Sequence, residues 1–145
     1  MKSLVGIAMI LASSAAYCQG WGSESCGAAL ERAYTVFSVR PDATTQGDFN
    51  SDGQSDFAKL LDHKYQPGKA AVGICLSGVK KPLLITDPYQ STKIFTKPKG
   101  TAYMDFNTEK EGVYERDVVS VSDGTWFGSS YILRSGVFVE VIDGD

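Results

Sequence analysis

Oxygen-bearing groups recur at every second position in residues 47–57, which read GDFNSDGQSDF. They are the side chains of Asp48, Asn50, Asp52 and Asp56 and the main-chain carbonyl of Gln54. A hard cation such as calcium takes about six to eight oxygen ligands at about 2.3–2.6 Å. Because alternate residues of a tight loop can turn toward one point, the spacing predicts a structural calcium site here, with calcium as the cofactor.

This segment begins like an EF-hand calcium loop but does not end like one. Counted from Asp48, the twelfth position is Lys59, where an EF-hand places a bidentate Glu. The spacing D-x-N-x-D-G-x-x-D, with Gly47 before it and Phe57-Ala58 after it, resembles the calcium loop of FG-GAP/VCBS-type repeats. That resemblance implies that the four side chains named above are ligands and that Gln54 is a main-chain ligand.

A second interpretation of the segment is an acidic hairpin turn, since Asp, Asn and Gly favour turns. Propellers built from FG-GAP/VCBS repeats need many copies, and this chain has one. The segment is therefore predicted to be a single structural loop. Its expected calcium affinity is of order 10⁻⁵–10⁻³ M, as in extracellular modules.

The N-terminus has the order of a secretory signal. Lys2 is followed by the apolar run LVGIAMILA at residues 4–12 and by small residues at 13–16. We predict a signal peptide over residues 1–18 and a periplasmic or secreted protein. The apolar run is shorter than the ~20 residues that span a bilayer, so no transmembrane segment is expected.

The three cysteines are Cys18, Cys26 and Cys75. Cleavage after Cys18 leaves an even pair, whereas cleavage after Ala16, or acylation of Cys18, keeps the third cysteine. Because exported proteins live under oxidising conditions, Cys26 and Cys75 are predicted to form a disulfide; buried free thiols are the alternative.

Residues 19–145 are expected to form one α+β domain. Apolar residues at three- and four-residue steps predict a helix over about residues 24–38, capped by Ser23 or Ser25 and ended by Arg40–Pro41. After the loop, short β-rich runs alternate with Gly, Pro and Asp turns to the end of the chain. The predicted fold is one N-terminal helix packed on an antiparallel β meander of about seven strands.

Catalytic residue sets are sparse. The single histidine, His63, would have to combine with Ser129 or Ser130, and neither serine lies in a Gly-x-Ser-x-Gly elbow. No zinc-ligand spacing occurs. Two carboxylate pairs stand beside predicted turns, where charges are usually solvated, and Cys75 lies in an apolar strand. The pairs are Glu109 with Glu111 and Glu115 with Asp117. We therefore predict that the chain is not an enzyme.

The net charge of −3 argues against nucleic acid as a partner. The first hypothesis is a non-catalytic periplasmic protein-binding module with a structural calcium loop, acting as an immunity-type inhibitor on a toxin or wall hydrolase. The alternative is a small calcium-dependent carbohydrate- or cell-wall-binding module. Four aromatic residues would serve it as a binding patch: Tyr103, Trp126, Phe127 and Tyr131. For Trp126 and Phe127, a place in a core shared between sheet and helix is the other interpretation.

Overall fold

A computed structural model describes residues 20–87, 91–125 and 128–144. In these ranges a helix, α1 (Ser23–Ala33), precedes ten strands. The strands are β1 (Phe37–Gly47), β2 (Asp56–His63), β3 (Ala70–Cys75), β4 (Leu83–Asp87), β5 (Lys93–Lys97), β6 (Ala102–Asp105), β7 (Lys110–Val113), β8 (Val118–Ser122), β9 (Gly128–Arg134) and β10 (Val137–Ile142). The predicted signal peptide, Trp126 and Phe127 lie outside the described residues.

The α+β class is confirmed, but the meander of about seven strands is wrong. The strands form a first sheet in the order β1-β2-β3-β4, a second sheet in the order β10-β9-β8-β5, and a separate β6–β7 hairpin. All pairings are antiparallel. The meander fails at β5, which pairs with β8 rather than with a neighbour in sequence, because the β6–β7 hairpin intervenes.

The helix ends five residues earlier than predicted. The Tyr34 N–H makes the last helical bond, to the Leu30 carbonyl at 2.9 Å, and Phe37 already begins β1. Pro41 lies inside β1, where the register against β2 shifts between Val39 and Thr44. Because β1 is an outer strand of its sheet, a residue without an N–H is tolerated at such an irregularity.

The main core lies between the two sheets. Its buried side chains come from both: Ala43, Ala58, Leu60, Val72, Ile74 and Leu76 on the first sheet and its flanks, Phe49 from the β1–β2 loop, and Val119, Val121 and Tyr131 on the second sheet. The two sheets also meet edge to edge where the Thr45 and Thr96 hydroxyls lie 2.7 Å apart and Thr96 donates to the Gln46 carbonyl at 2.8 Å. The fold is thus a two-sheet sandwich joined along β1 and β5.

Helix α1 covers the opposite face of the first sheet. Leu30 packs beside Gly73 of β3, where a Cβ atom would lie 2.4 Å from the leucine side chain. The predicted disulfide is confirmed: Cys26 of α1 is bonded to Cys75, with the two Cα atoms 5.8 Å apart. In the described part of the chain, no helix has the length and apolar character needed to cross a membrane.

We expect the disulfide to contribute strongly to stability because it closes a loop across 49 positions. In the chain-entropy model, the Cys26→Ala/Cys75→Ala double variant should unfold with a free energy lower by about 4 kcal/mol. Urea denaturation of the variant and of the oxidised wild type measures the difference. The expectation assumes that closing a long loop in the unfolded chain is the dominant effect. A difference in unfolding free energy below about 1 kcal/mol would contradict it.

Candidate functional site

The predicted calcium segment forms the loop between β1 and β2. Its turn requires a left-handed backbone at Ser51 (φ 61°) and Gly53 (φ 80°). Glycine adopts such a conformation without steric cost, which explains its place in the motif. Phe49 anchors the loop because its ring is buried in the core between the sheets.

Two carboxylates of the motif hold the loop closed from within. Asp48 accepts the N–H groups of Asp52 and Gly53, each at 2.9 Å, through different oxygens. Asp52 accepts the Gln54 N–H at 2.8 Å and the Asn50 amide at 3.1 Å. The Asn50 side-chain oxygen in turn accepts the Asp52 N–H at 3.2 Å.

Asp56 has a different role, since its side chain is fully buried at the start of β2. One oxygen accepts the N–H groups of Phe49 (2.7 Å) and Asn50 (3.2 Å), and the other accepts the Ser77 N–H (2.6 Å). Burial raises the pKa of the Asp56 carboxyl, while the N–H donors, Ser77 first, act to lower it. Asp56 therefore fastens the loop to the residues that follow β3.

Ser77 makes a second connection to the loop. Its hydroxyl donates to Asp52, and its carbonyl accepts the Asn50 amide at 3.2 Å. The hydroxyl bond is the main reason why the pKa of Asp52 lies below its ordinary value. The sequence analysis missed Ser77, which lies 21 positions after Asp56.

Asp117 links the loop to the second half of the chain. One of its oxygens accepts the Asp48 N–H at 3.1 Å, and the other accepts the Lys99 N–H at 2.9 Å. The β1–β2 loop is thus connected, through Asp117, to the turn between β5 and β6. The sequence analysis considered Asp117 as a catalytic partner of Glu115. In the structure, the Asp117 carboxylate accepts two backbone N–H groups instead.

The donor set retains the chemistry that calcium requires. Each carboxylate oxygen has about two lone pairs, so Asp48, with one N–H on each oxygen, keeps acceptor capacity. In the described ranges, however, no group of three or more His, Cys, Asp or Glu side chains lies close enough to hold a metal ion. The carboxylates of Asp48, Asp52 and Asp56 are spread around the loop, where they bind N–H groups.

The catalytic pairings weighed from sequence are not formed by the described residues. His63 is in the first sheet, where its ring contacts Phe37 at a centroid distance of 5.1 Å, whereas Ser129 and Ser130 are in the second sheet. Ser129 donates to Glu140 at 2.7 Å. Cys75 is in the disulfide and is not a free thiol.

The two described members of the proposed aromatic patch, Tyr103 and Tyr131, belong to different clusters. Tyr131 is buried in the core between the sheets. Tyr103 stacks on Tyr114 at a centroid distance of 4.5 Å, beneath the β6–β7 hairpin. The alternative of a core position concerns Trp126 and Phe127, which lie outside the described residues.

A buried polar cluster on the second sheet was not expected from sequence. Lys97 pairs with Asp143 at 2.9 Å, and Asp143 also accepts the hydroxyls of Tyr114 and Ser130. The Ser130 hydroxyl lies 2.8 Å from that of Ser120. Burial, followed by the bond to Asp143, raises the pKa of Tyr114. This cluster fastens the end of the chain onto the sheet.

Exposed apolar side chains concentrate around the β6–β7 hairpin and β10. Five of the eight large exposed hydrophobic residues among the described positions belong to this region, which we term the hairpin face: Met104, Phe106, Val113, Val137 and Val139. Val137 and Val113 are the most exposed of the five, at 65% and 58%. A concentration of this kind is typical of an interaction surface.

Strand β10 contributes Val137 and Val139 to the hairpin face and is the outer strand of the second sheet. The two-residue turn Ser135–Gly136 makes Arg134 and Val137 the first pair of the β9–β10 ladder. In such a hairpin, every second residue directs its N–H and C=O away from the partner strand. Phe138 and Glu140 therefore present their backbone groups outward, and no other described backbone group pairs with them.

Comparison with known proteins adds no relative: no protein-family model, curated protein or solved structure matches the chain. The arguments for function therefore depend on the loop, the hairpin face and the buried clusters themselves.

We expect Asp56→Asn to unfold with a free energy lower by about 3 kcal/mol, because an amide group would face buried N–H donors. Chemical denaturation of the purified variant measures this loss. Gln54→Ala is the matched control, since its side chain is exposed and its substitution should change stability by less than about 0.5 kcal/mol. Equal stability of the two variants would contradict the anchoring role of Asp56.

Proposed function

We propose that this chain is an exported protein-binding module with a structural calcium loop, acting on its target as an immunity-type inhibitor does. The observation that carries the proposal is the outward edge of β10 beside the hairpin face. An extended segment of a partner can add to such an edge through backbone hydrogen bonds, while apolar side chains beside it add contact area. Binding of this kind needs no catalytic step.

The chemistry of the hairpin face favours a protein partner. Its exposed side chains are valines, one methionine and one phenylalanine, and the charged side chain on β10 is Glu140. Apolar and aromatic groups are typical of the centres of protein interfaces. The partner we propose is a periplasmic toxin or a wall hydrolase that offers an extended segment.

The export proposal is supported by the confirmed Cys26–Cys75 disulfide together with the N-terminal sequence pattern. Disulfides persist mainly in oxidising compartments. The two observations together support our proposal of a periplasmic or secreted location.

The calcium loop would act on the hairpin face through Asp117. Calcium, when bound, would supply charge neutralisation to the loop carboxylates. Asp48, Asn50, Asp52 and Asp56 would hold it together with the Gln54 carbonyl, and this requires the three carboxylates, which are spread around the loop, to move closer together. Because Asp117 joins Asp48 to Lys99, a more rigid loop would also fix the turn that leads into β6. The ion is therefore proposed as structural support.

Calcium should raise the melting temperature of the mature chain. At a concentration 100-fold above Kd, binding to the folded state alone stabilises it by about 2.7 kcal/mol. Asp52→Asn should abolish the effect, whereas Gln54→Ala, which keeps the main-chain carbonyl, should retain it. Calorimetry without heat of calcium binding, and melting that chelators leave unchanged, would remove calcium from the proposal.

The strand-addition proposal is tested at Glu140, whose N–H points away from β9. Glu140→Pro removes that donor while sparing the β9–β10 ladder, and Glu140→Ala is the control that loses the same contact with Ser129. Wild type and Glu140→Ala should capture the same protein from a periplasmic extract, and Glu140→Pro should capture at least about tenfold less, the equivalent of ~1.4 kcal/mol. Equal capture by all three would refute edge binding.

A carbohydrate- or wall-binding module is the second candidate. An open groove of about 620 Å³ beside the hairpin is lined by Tyr103, Met104, Glu111 and Val113, among others. An aromatic ring next to a carboxylate can stack on a sugar and accept hydrogen bonds from its hydroxyls. Sedimentation with peptidoglycan, with and without chelator, distinguishes this function from protein capture.

A further inference from the structure

Lys59 of β2 is a buried cation without a counter-ion. The residue is 5% exposed and runs beneath α1, where a Cβ atom on Gly27 would lie 3.5 Å from its Cε. Its Nζ lies 2.9 Å from the Ser23 hydroxyl and 2.8 Å from the Thr44 hydroxyl. The two ion pairs of the described residues, Arg40–Asp62 and Lys97–Asp143, do not include it.

Among the described residues, no acidic side chain forms an ion pair with Lys59, and the two hydroxyls are the acceptors of its amine. The start of α1, to which Ser23 belongs, is the positive end of the helix dipole. The Glu31 carboxylate accepts the Val39 N–H instead, at 3.0 Å. The charged side chains of the adjoining elements make no ion pair with Lys59: Glu24, Glu31 and Arg32 of α1, Arg40 and Asp42 of β1, and Asp56 and Asp62 of β2. Burial accordingly lowers the pKa of the Lys59 amine, which favours its neutral form.

An amine in contact with a hydroxyl becomes a general base next to a nucleophile once it has lost its proton. We propose that Ser23 and Lys59 form a serine–lysine acyl-transfer site for esters, in which Ser23 Oγ attacks, Lys59 Nζ takes the proton and Thr44 positions the amine. Ser23 is half-buried and so remains accessible from solvent. This activity does not depend on the hairpin face, and it would overturn the sequence-based prediction that the chain is not an enzyme.

The start of α1 also supplies donors beside the nucleophile. The first helical bond runs from the Cys26 N–H to the Gly22 carbonyl, at 2.9 Å. The N–H groups of Ser23, Glu24 and Ser25 come before that bond and so have no partner within the helix. No side chain caps them. Such groups stabilise the oxyanion of a tetrahedral intermediate.

The reaction balances without a further reagent. Ser23 Oγ forms a bond to the ester carbonyl carbon as its proton passes to Nζ, and the carbonyl oxygen takes the negative charge. Collapse breaks the bond to the alcohol, which leaves with the proton from Lys59. Water then attacks the acyl-serine, Nζ accepts and returns a proton in the same way, and the acid is released.

The test uses a fluorophosphonate probe and p-nitrophenyl acetate on the oxidised mature protein. We expect Ser23 to be phosphonylated, as mapped by mass spectrometry, at a rate that rises with pH through a pKa below 10.5, the ordinary value for lysine. Ser23→Ala should lose labelling at this position, and Lys59→Met should lower the rate about 10²–10⁴-fold, the usual contribution of a general base.

Three further variants separate catalysis from folding. Lys59→Met removes a buried charge and should melt at a temperature equal to or above that of wild type, so its loss of labelling would not reflect unfolding. Thr44→Val should shift the pH profile, as expected for a positioning residue. Ser38→Ala, whose hydroxyl in β1 donates to the Asp62 carbonyl and has no part in the site, should keep wild-type labelling. Labelling of Ser23 no faster than in the urea-unfolded chain, or unchanged in Lys59→Met, would overturn the proposal.

Discussion

The buried Asp56 carboxylate is the contact on which the loop region depends. It gathers N–H groups from two residues of the β1–β2 loop and from Ser77 beyond β3. Burying a carboxylate away from water costs free energy, and the three N–H donors offset that cost. Because Phe49 is one of the donors, the same bond sets the place where the loop's aromatic ring enters the core. Loop and core are thereby ordered together.

Much of the fold follows from local sequence signals. The runs that form β2 and β3 are largely apolar, and the dipeptides Asp123–Gly124 and Ser135–Gly136, whose glycines are typical of turns, lie between successive strands. The two strands that the sequence patterns do not indicate, β1 and β7, lack such signals. β1 contains Pro41 and follows directly on a helical pattern, and β7 is short, exposed and charged. Its residues become a strand only because β6 lies beside them, which is a tertiary effect.

The candidate sites differ in the same way. The loop with alternating oxygens could be located from sequence because its oxygens are neighbours along the chain, and its calcium binding stays a prediction. The contact of Lys59 with Ser23 and Thr44 joins three elements across 36 and 15 positions, so spacing could not indicate it. One local signal was present: a lysine in the apolar middle of β2, between Ala58 and Leu60, at the position where an EF-hand would have a glutamate. A buried charge in such a strand suggests function more than stability.

Residues 98–117 lie between two strands, β5 and β8, that pair with each other directly. A tight turn would suffice to join such a pair, so the whole β6–β7 hairpin has the character of an insertion into a complete sheet. Its outward side can change during evolution without disturbing the sandwich, whereas the contacts of Tyr114 and Asp117 confine change at its base. Related chains would therefore be expected to diverge in length and composition first at this hairpin, and a different target could be acquired there while the sheets stay the same.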